Sequence, residues 1–312
     1  MAASLTSSVV RAVHMPEVVE YCPLCGSSFN QLFDQRQFRG HPVSNVICRQ
    51  CGLVYQSPRM TEAESQAFYQ AEYRLLYQGQ QGPNPKDLAV QAARARLTLE
   101  FTRQYVTSAA SILDIGCSTG ILMEQLRHHY RARAVGIEPG DTYRWYAQSQ
   151  GLEVFVSLDE LKNAGLSRFS LVSMMHVLEH LPHPLTYLQD LRAHFLEPNG
   201  WLLLEVPNLY AHDCFEVAHL TSFSAHTLVQ LVHKAGYRVV RLRAYGQPRS
   251  LLIPLYLTLL AQPSSSTPAS VKPARLVKLQ RQLGFLRRKI ATRLFPERAW
   301  IPFERIYPPK NA

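Results

Sequence analysis

The chain has 312 residues, enough for one large domain or two unequal ones, and its 46% hydrophobic content provides for a substantial core. No segment reaches the roughly 18 consecutive apolar residues of a membrane span, and the N-terminus has no apolar run of signal-peptide length, so we expect a cytoplasmic protein. The formal net charge of +10 is concentrated in residues 271–312, which hold eleven Lys and Arg against two acids, and this uneven distribution disfavours nucleic-acid binding across the whole surface.

Two cysteine pairs follow a leader that we predict over residues 1–20. Between residues 21 and 57, "YCPLCGSS" and "ICRQCGLVY" each contain two cysteines separated by two residues and followed by glycine. In a cytosolic chain this spacing indicates a metal site rather than disulfides. Four thiolates leave no coordination position for water, so we expect a zinc ribbon with a structural, non-catalytic zinc ion. Its predicted ligands are Cys22, Cys25, Cys48 and Cys51.

The next segment, residues 58–106, is predicted to be a helical connector. Thr61 is an N-cap candidate for a first helix, because Glu64 follows three residues later. Glycine and proline in residues 78–87 indicate a loop, and a long helix is predicted over residues 86–106.

From residue 107 to residue 248, apolar strands alternate with helices. The predicted strands are 111–115, 133–138, 153–157, 169–175, 200–206 and 237–245, and the predicted helices are 119–130, 141–150, 184–196 and 225–235. The strands are continuous apolar runs, as expected when helices cover both faces of a sheet. The pattern predicts an α/β domain with a doubly wound parallel sheet.

Beyond residue 248 the alternation is lost, and residues 249–312 are predicted to form an apolar segment, a linker and a basic helix. The apolar run 251–261 precedes the serine-rich and proline-rich stretch 262–270, whose composition is typical of a linker. Apolar residues then recur at alternating steps of three and four, which predicts an amphipathic helix with a basic opposite face. They are Leu276, Leu279, Leu283, Leu286, Ile290 and Leu294.

The stretch "LDIGCSTG", residues 113–120, lies at a strand-to-helix turn where a ligand can approach the backbone of Gly116 and Gly120. A dinucleotide site has G-x-G-x-x-G, but Asp114 takes the place of the first glycine, and a carboxylate there repels pyrophosphate. The acid suits a cationic, phosphate-free ligand such as S-adenosylmethionine. Glu138 ends the next strand, 22 residues after Gly116, where a carboxylate can accept hydrogen bonds from ribose hydroxyls.

The motifs "ILDIGCSTG", "VGIEPG", "SMMHVLEHLPHP" and "LLLEVPN" occur in an order that resembles class I S-adenosylmethionine-dependent methyltransferases over residues 110–245. The resemblance implies a Rossmann-like, mostly parallel seven-stranded sheet. It also implies a division of the donor site into three parts. The methionine end is lined by Asp114, Gly116, Cys117 and Gly120, and the ribose is held by Glu138. The adenine lies at Leu158 and Asp159. The pocket is closed by His176 and Val177. Ser118 replaces a glycine that many members carry.

The first part of the chain, over residues 20–75, is similar to the zinc-ribbon leader of bacterial methyltransferases that act on sugars and cell-surface glycans. This resemblance implies a small-molecule or glycan acceptor, such as a nucleotide-sugar or a lipid-linked sugar. It leaves open whether oxygen, nitrogen or carbon receives the methyl group.

Histidines are the candidates for the base that removes the acceptor's proton. His219, in the loop after the fifth strand, is the preferred base, and His180, after the fourth strand, is the second candidate. His180 could instead be structural, and His226 is expected to begin a helix. A cluster like His176, Glu179 and His180 occurs in ubiquinone-biosynthesis O-methyltransferases, where it is acid-rich and metal-binding, so a second metal is left open. Neither Cys117 nor Cys214 is expected to act as a nucleophile, because methyl transfer needs no covalent enzyme intermediate.

Several alternatives remain at this point. An RNA methyltransferase could use the zinc ribbon and the basic C-terminal segment, although the (N/D)-P-P-(Y/F) motif for base amines is absent and strand four ends in "MMHVLEH". A non-enzymatic interaction module would conflict with the intact donor motifs. The basic helix could contact an anionic membrane surface, pack on its own domain, or join a homodimer.

Overall fold

The computed structural model describes residues 16–71, 82–266 and 270–306, so most of the predicted leader lies outside the described residues. Its strands are β1 (Asn30–Phe38), β2 (His41–Cys48), β3 (Val54–Gln56), β4 (Ser111–Ile115), β5 (Arg133–Ile137), β6 (Glu153–Phe155), β7 (Phe169–Met175), β8 (Leu196–Pro207), β9 (Thr221–Ser222), β10 (Tyr237–Tyr245) and β11 (Tyr256–Pro263). Its α-helices are α1 (Glu62–Ala71), α2 (Pro85–Thr102), α3 (Ile121–Tyr130), α4 (Asp141–Ser149), α5 (Leu158–Asn163), α6 (Pro184–His194), α7 (Ala225–Lys234), α8 (Val277–Leu294), α9 (Pro296–Ala299) and α10 (Phe303–Ile306). A 3-10 turn covers Leu178–His180.

A seven-stranded sheet in the order β10-β11-β8-β7-β4-β5-β6 forms the centre of the protein. The strands from β8 to β6 in this order pair in parallel, whereas β11 pairs antiparallel with both β8 and β10. The chain moves outward from β4 to β6 and then returns to β7 on the other side of β4, so a crevice opens between β4 and β7. The predicted doubly wound, mostly parallel seven-stranded α/β fold is confirmed.

The seventh strand corrects the predicted domain boundary at residue 248. β11 lies in the run predicted to be an apolar C-terminal segment, and it extends to Pro263 in the predicted linker. Its first six residues are buried, because the strand returns from β10 and inserts between β10 and β8. The alternation of strands and helices could not reveal this strand, since an antiparallel hairpin needs no crossover helix.

The cysteine-containing segment is not a separate lobe. β1, β2 and β3 form a second sheet whose last strand is β9, from the loop after β8. Gln56 also donates its backbone N–H to the carbonyl of Leu220 at 2.8 Å. Leu53 and Tyr55 share a hydrophobic core with Phe223, which follows β9, and with residues of the large sheet. The ribbon therefore supports the loop that carries His219.

The two connector helices begin at caps that the sequence encodes. Thr61 and Glu64 form the predicted reciprocal cap, with the Thr61 backbone N–H donating to the Glu64 carboxylate at 2.9 Å. α2 begins after Asn84, whose side chain accepts from the Asp87 backbone N–H, and has a proline in its first turn. Among the described residues, no helix combines the length and apolarity needed to cross a membrane.

Candidate functional site

The predicted donor motifs meet at the carboxyl ends of β4, β5 and β7, beside the crevice between β4 and β7. Gly116 has φ +71° and Gly120 has φ +79°, which disfavour a side chain at both positions. A Cβ on Gly116 would overlap Cγ2 of Val177, and a Cβ on Gly120 would overlap Leu152. The loop is held against β5 because the backbone N–H groups of Gly116 and Cys117 both donate to the Ile137 carbonyl.

Asp114 is a buried carboxylate, with 2% of its surface exposed. The Ser173 hydroxyl donates to it at 2.7 Å. Burial raises the pKa of Asp114 to about 7, the Ser173 hydrogen bond partly offsets this, and the Glu138 carboxylate adds to it. Two carboxylates at one strand edge favour a ligand that brings positive charge.

Glu138 is also buried, and both of its oxygens are fixed by backbone donors. Oε2 accepts from the Ser118 N–H and Oε1 from the Gly140 N–H, each at 2.9 Å. These bonds hold the carboxylate between the two loops that follow β4 and β5. A carboxylate in this position can accept hydrogen bonds from a pair of vicinal hydroxyls.

The other predicted donor residues differ in how closely they approach this centre. Val177 packs beside Gly116, whereas Cys117 is buried toward Gly136. Burial raises the pKa of the Cys117 thiol, in accord with a packing residue. Leu158 is partly buried at the start of α5, and Asp159 beside it is exposed.

His176 lies between two buried carboxylates at the end of β7. Its Nδ1 is 3.2 Å from Glu179 Oε1 and its Nε2 is 3.2 Å from Glu205 Oε1. Burial and Arg94 oppose the charged ring, but these two carboxylates raise its pKa above the usual value. Its backbone has φ +57°, a conformation that is rare outside glycine and is concentrated at functional sites. Both ring nitrogens of His176 therefore face carboxylates, an arrangement that favours the charged imidazolium.

The two predicted bases, His180 and His219, are neighbours, with ring centroids 4.9 Å apart. His180 Nδ1 donates to the Ala218 carbonyl at 2.8 Å, so its Nε2 is the nitrogen without a proton when the ring is neutral. Burial lowers the pKa of His180 to about 4. His180 is thus neutral at physiological pH.

His219 has a different environment, although it is equally buried. Its Nδ1 donates to the Cys214 carbonyl at 3.0 Å, and its Nε2 is 2.7 Å from Oε1 of Glu216. Burial disfavours the imidazolium, but the Glu216 carboxylate outweighs it and raises the pKa of His219. The buried His219 therefore pairs through Nε2 with Glu216, which is partly exposed.

Glu179 lies between these histidines. Burial raises its pKa, but the hydrogen bond from His176 and the charges of His176 and His219 hold it at about 2, so the carboxylate is ionised. Its Oε2 has no hydrogen-bond partner among the described residues. The potential ligand atoms of Glu179, His180 and His219 lie within 4.8 Å of one another. A second metal ion at this place would therefore have His219 as a ligand in place of His176. That second metal stays a prediction.

Sequence reasoning missed several members of the site. Glu205 lies in the middle of the quoted motif "LLLEVPN", and its Oε2 accepts from Thr258 Oγ1 of β11 at 2.8 Å and from the Tyr245 hydroxyl. Arg94 of α2 lies over the Tyr256 ring, 4.6 Å from its centroid. The sequence could have indicated Glu205 as a site residue, because it is an acid inside an apolar strand. No pattern around Arg94 in the sequence indicated a functional role.

The four predicted zinc ligands converge into one cluster. The Sγ atoms of Cys22 and Cys51 are 3.5 Å apart, as are those of Cys25 and Cys48, and all four lie within 4.8 Å of one another. Thiolates at about 2.3 Å from a tetrahedral zinc ion lie at similar mutual distances. The turn after each pair is closed by a glycine N–H that donates to the first cysteine's carbonyl. The donor set therefore fits a structural zinc ion.

Comparisons with known proteins agree with this geometry. Residues 82–242 match a family model described as a methyltransferase domain, and this range includes α2. The ubiquinone biosynthesis O-methyltransferase of Nitrosococcus oceani is 30% identical over 120 residues, covering 36% of this chain and 50% of that protein. The protein of the same name from Histophilus somni is 33% identical over 122 residues, covering 34% of this chain and 50% of that protein. The chain thus spans about half the length of these curated relatives.

Among solved structures, the fold is similar to that of Burkholderia thailandensis 1,6-didemethyltoxoflavin-N1-methyltransferase, which was solved with bound 1,6-didemethyltoxoflavin and S-adenosylhomocysteine. The TM-score is 0.55 at 17% identity, and the alignment covers 75% of this chain and all of that one. At this identity the likeness shows a shared fold.

Proposed function

We propose that this chain, which belongs to the methyltransferase-domain family, is an S-adenosylmethionine-dependent enzyme that transfers the methyl group to a hydroxyl of a small molecule or glycan. The hydrogen-bonded pair His219–Glu216 carries this proposal, since it lies beside the donor motifs and can take a proton. Hydroxyl acceptors need such a group, because the oxygen must lose its proton as the methyl group arrives.

We propose that the donor occupies the crevice between β4 and β7. The Asp114 carboxylate attracts its positive charge, and the loop from Gly116 to Gly120 lets it approach the backbone. Glu138 accepts from the ribose hydroxyls, with Leu158 and Asp159 beside the adenine. Val177 and His176 close the pocket on the acceptor side. The burial of both carboxylates and the lack of room for a Cβ at either glycine support this placement.

When bound, the donor would supply the methyl group. Its carbon–sulfur bond breaks, and the electron pair of that bond stays on the sulfur. The protein's part is to align the acceptor, exclude water and accept the hydroxyl proton. His219 and Glu216 take that proton as a unit, and the neutral His180 beside them orients the acceptor. The unpaired Oε2 of Glu179 is placed to accept from a second hydroxyl.

Two acceptor classes fit this site. A sugar of a nucleotide-sugar or lipid-linked glycan matches the resemblance of the N-terminal ribbon, and vicinal hydroxyls suit a cluster of carboxylates and histidines. A ubiquinone-type phenol is the second candidate, because the matched relatives carry that name. An RNA acceptor is disfavoured, because the positive charge is concentrated in residues 271–312 and the (N/D)-P-P-(Y/F) motif for base amines is absent.

We also propose that Cys22, Cys25, Cys48 and Cys51 bind a structural zinc ion. The ribbon supports β9 and the neighbouring His219, so zinc would act on catalysis through the position of this loop. All four ligand positions are taken by sulfur, which leaves the metal no role in activating water or substrate.

Titration calorimetry and a methylation assay test the proposal together. Wild-type protein should bind S-adenosylmethionine and convert one member of a panel of nucleotide-sugars, lipid-linked sugars and polyprenyl phenols to a product heavier by one methylene. His219→Ala should bind donor normally but turn over about 10²–10⁴-fold more slowly. His194→Ala, an exposed histidine on α6, serves as the control. Unchanged turnover in His219→Ala would show that His219 is not the base. A product methylated on nitrogen or carbon would refute O-methylation.

A further inference from the structure

The C-terminal helix α8 packs on the domain through its arginine face, not through its leucines. Arg281 is 8% exposed, donates to the Leu209 carbonyl and stacks on Phe215 at 4.0 Å from the ring centroid. One turn further along, Gly284 leaves room for the Tyr210 carbonyl, and Arg288 donates to the Ala211 carbonyl at 3.0 Å. The face that the sequence pattern marks as basic is therefore the face that contacts the protein.

The opposite face of α8 carries an exposed row of apolar side chains. Their exposed fractions range from 46% for Leu279 to 69% for Leu276. Leu276, Leu279, Leu283, Leu286, Ile290 and Leu294 make up this row, which we call the leucine row. At about 1.5 Å per residue, an 18-residue helix carries this row for about 27 Å. A continuous apolar surface of this kind is typical of an interaction site.

The charges beside the leucine row indicate what covers it. Helical periodicity places Lys278, Lys289 and Arg293 along one margin and Arg287 along the other, and all four are exposed. α8 contains no acid. A second copy of this helix would bring cations against cations, whereas phosphate groups would neutralise them. Long basic side chains can also extend from an apolar boundary to the headgroups.

We infer that α8 docks the protein on an anionic lipid surface, with the leucine row in the boundary between headgroups and acyl chains and the flanking cations at the phosphates. The helix lies over residues 209–214, the segment that leads into the acceptor loop, so docking would place this side of the protein near the membrane. The inference stands on the surface of α8 alone and is independent of the acceptor.

Vesicle flotation of the full chain tests this surface. The protein should float with phosphatidylcholine vesicles that contain phosphatidylglycerol and remain unbound with phosphatidylcholine alone. The double variant Leu283→Gln, Leu286→Gln should lower the partition coefficient at least about tenfold, because it removes apolar area from the interface. Leu32→Gln on β1 is the matched control, since Leu32 is 59% exposed and Leu283 56%. Lys289→Gln should cost about fivefold, and added salt should weaken binding.

Three outcomes would overturn the inference. Equal recovery of the protein in the unbound fraction with both vesicle types would exclude lipid docking. Flotation that the double variant leaves unchanged would place the lipid contact elsewhere. Sedimentation velocity that shows a dimer, dissociated by the double variant and without flotation, would assign the leucine row to a subunit interface. Because the substituted leucines are exposed, circular dichroism should show a folded variant in every case.

Discussion

Replacing Asp114 with asparagine should stabilise the ligand-free protein at neutral pH while weakening its binding of S-adenosylmethionine. Asparagine has nearly the same shape and can keep a hydrogen bond with Ser173, so the substitution removes the charge and little else. The two effects have opposite signs because the carboxylate is unfavourable in the empty pocket and favourable beside a cation.

The magnitude follows from the pKa of Asp114, which burial raises from 3.8 to about 7. An acid whose pKa is higher in the folded chain holds more protons when folded, so its contribution lowers the free energy of unfolding as pH rises through this window. At about 1.4 kcal/mol for each pH unit, the ionised carboxylate destabilises the native state by about 4 kcal/mol above pH 7. Below pH of about 4 this cost is absent, because the group is protonated in both states.

Urea unfolding of the wild type and Asp114→Asn across this pH range measures the difference. The stability advantage of the variant should grow by about 4 kcal/mol from acid to neutral pH. Asp190→Asn, an exposed position on α6, controls for the general effect of losing a carboxylate. Calorimetry should show weaker donor binding by Asp114→Asn alone. A stability difference that does not change with pH, or unchanged donor affinity, would refute the reasoning about a buried charge.

The remaining predictions concern the proton-accepting pair, the donor loop and the zinc site. Glu216→Gln should lower the pKa of His219, because burial then acts without the opposing carboxylate, and the rising limb of the pH–rate profile should move to lower pH with a reduced kcat. Gly116→Ala should cost more than about 1 kcal/mol of stability and should weaken donor binding, whereas Gly151→Ala, with φ +78° but nothing near its Cβ, should bear only the backbone cost. Cys48→Ser should remove zinc measured by mass spectrometry and lower the melting temperature.

Each of these predictions has a contrary result. A pH–rate profile that Glu216→Gln leaves in place would separate Glu216 from the titrating base. Equal donor affinity in the two glycine variants would mean that the donor does not lie against this loop. Cys214→Ser is the control for the zinc site, since Cys214 is buried away from the cluster, and equal zinc content in both cysteine variants would exclude the proposed ligand set.

Local patterns in the sequence predicted the parts of this protein that depend on residues close together in the chain. The order of strands and helices from β4 to β8 follows from apolar runs and turns, and the cysteine pairs follow from a fixed spacing that bends each knuckle around a metal. The donor motif could be interpreted because Asp114 and Gly116 belong to one turn. The structure contains the predicted strands and the cysteine cluster, and it adds the short helix α5, which the sequence analysis did not predict.

Contacts between distant parts of the chain were decided only by the tertiary structure. The sheet inserts β11 beside β8, and that pairing brings Thr258 to Glu205, 53 residues apart in sequence. The same folding places Arg94 over Tyr256. α8 shows most clearly what the sequence could not predict. Its apolar spacing correctly predicts an amphipathic helix, but the face that packs inward is the one from which Arg281 donates to a backbone carbonyl of the domain. A periodic pattern in the sequence specifies that a helix has an apolar and a polar face. Which face is buried is determined by the hydrogen-bonding groups of the surface on which the helix packs.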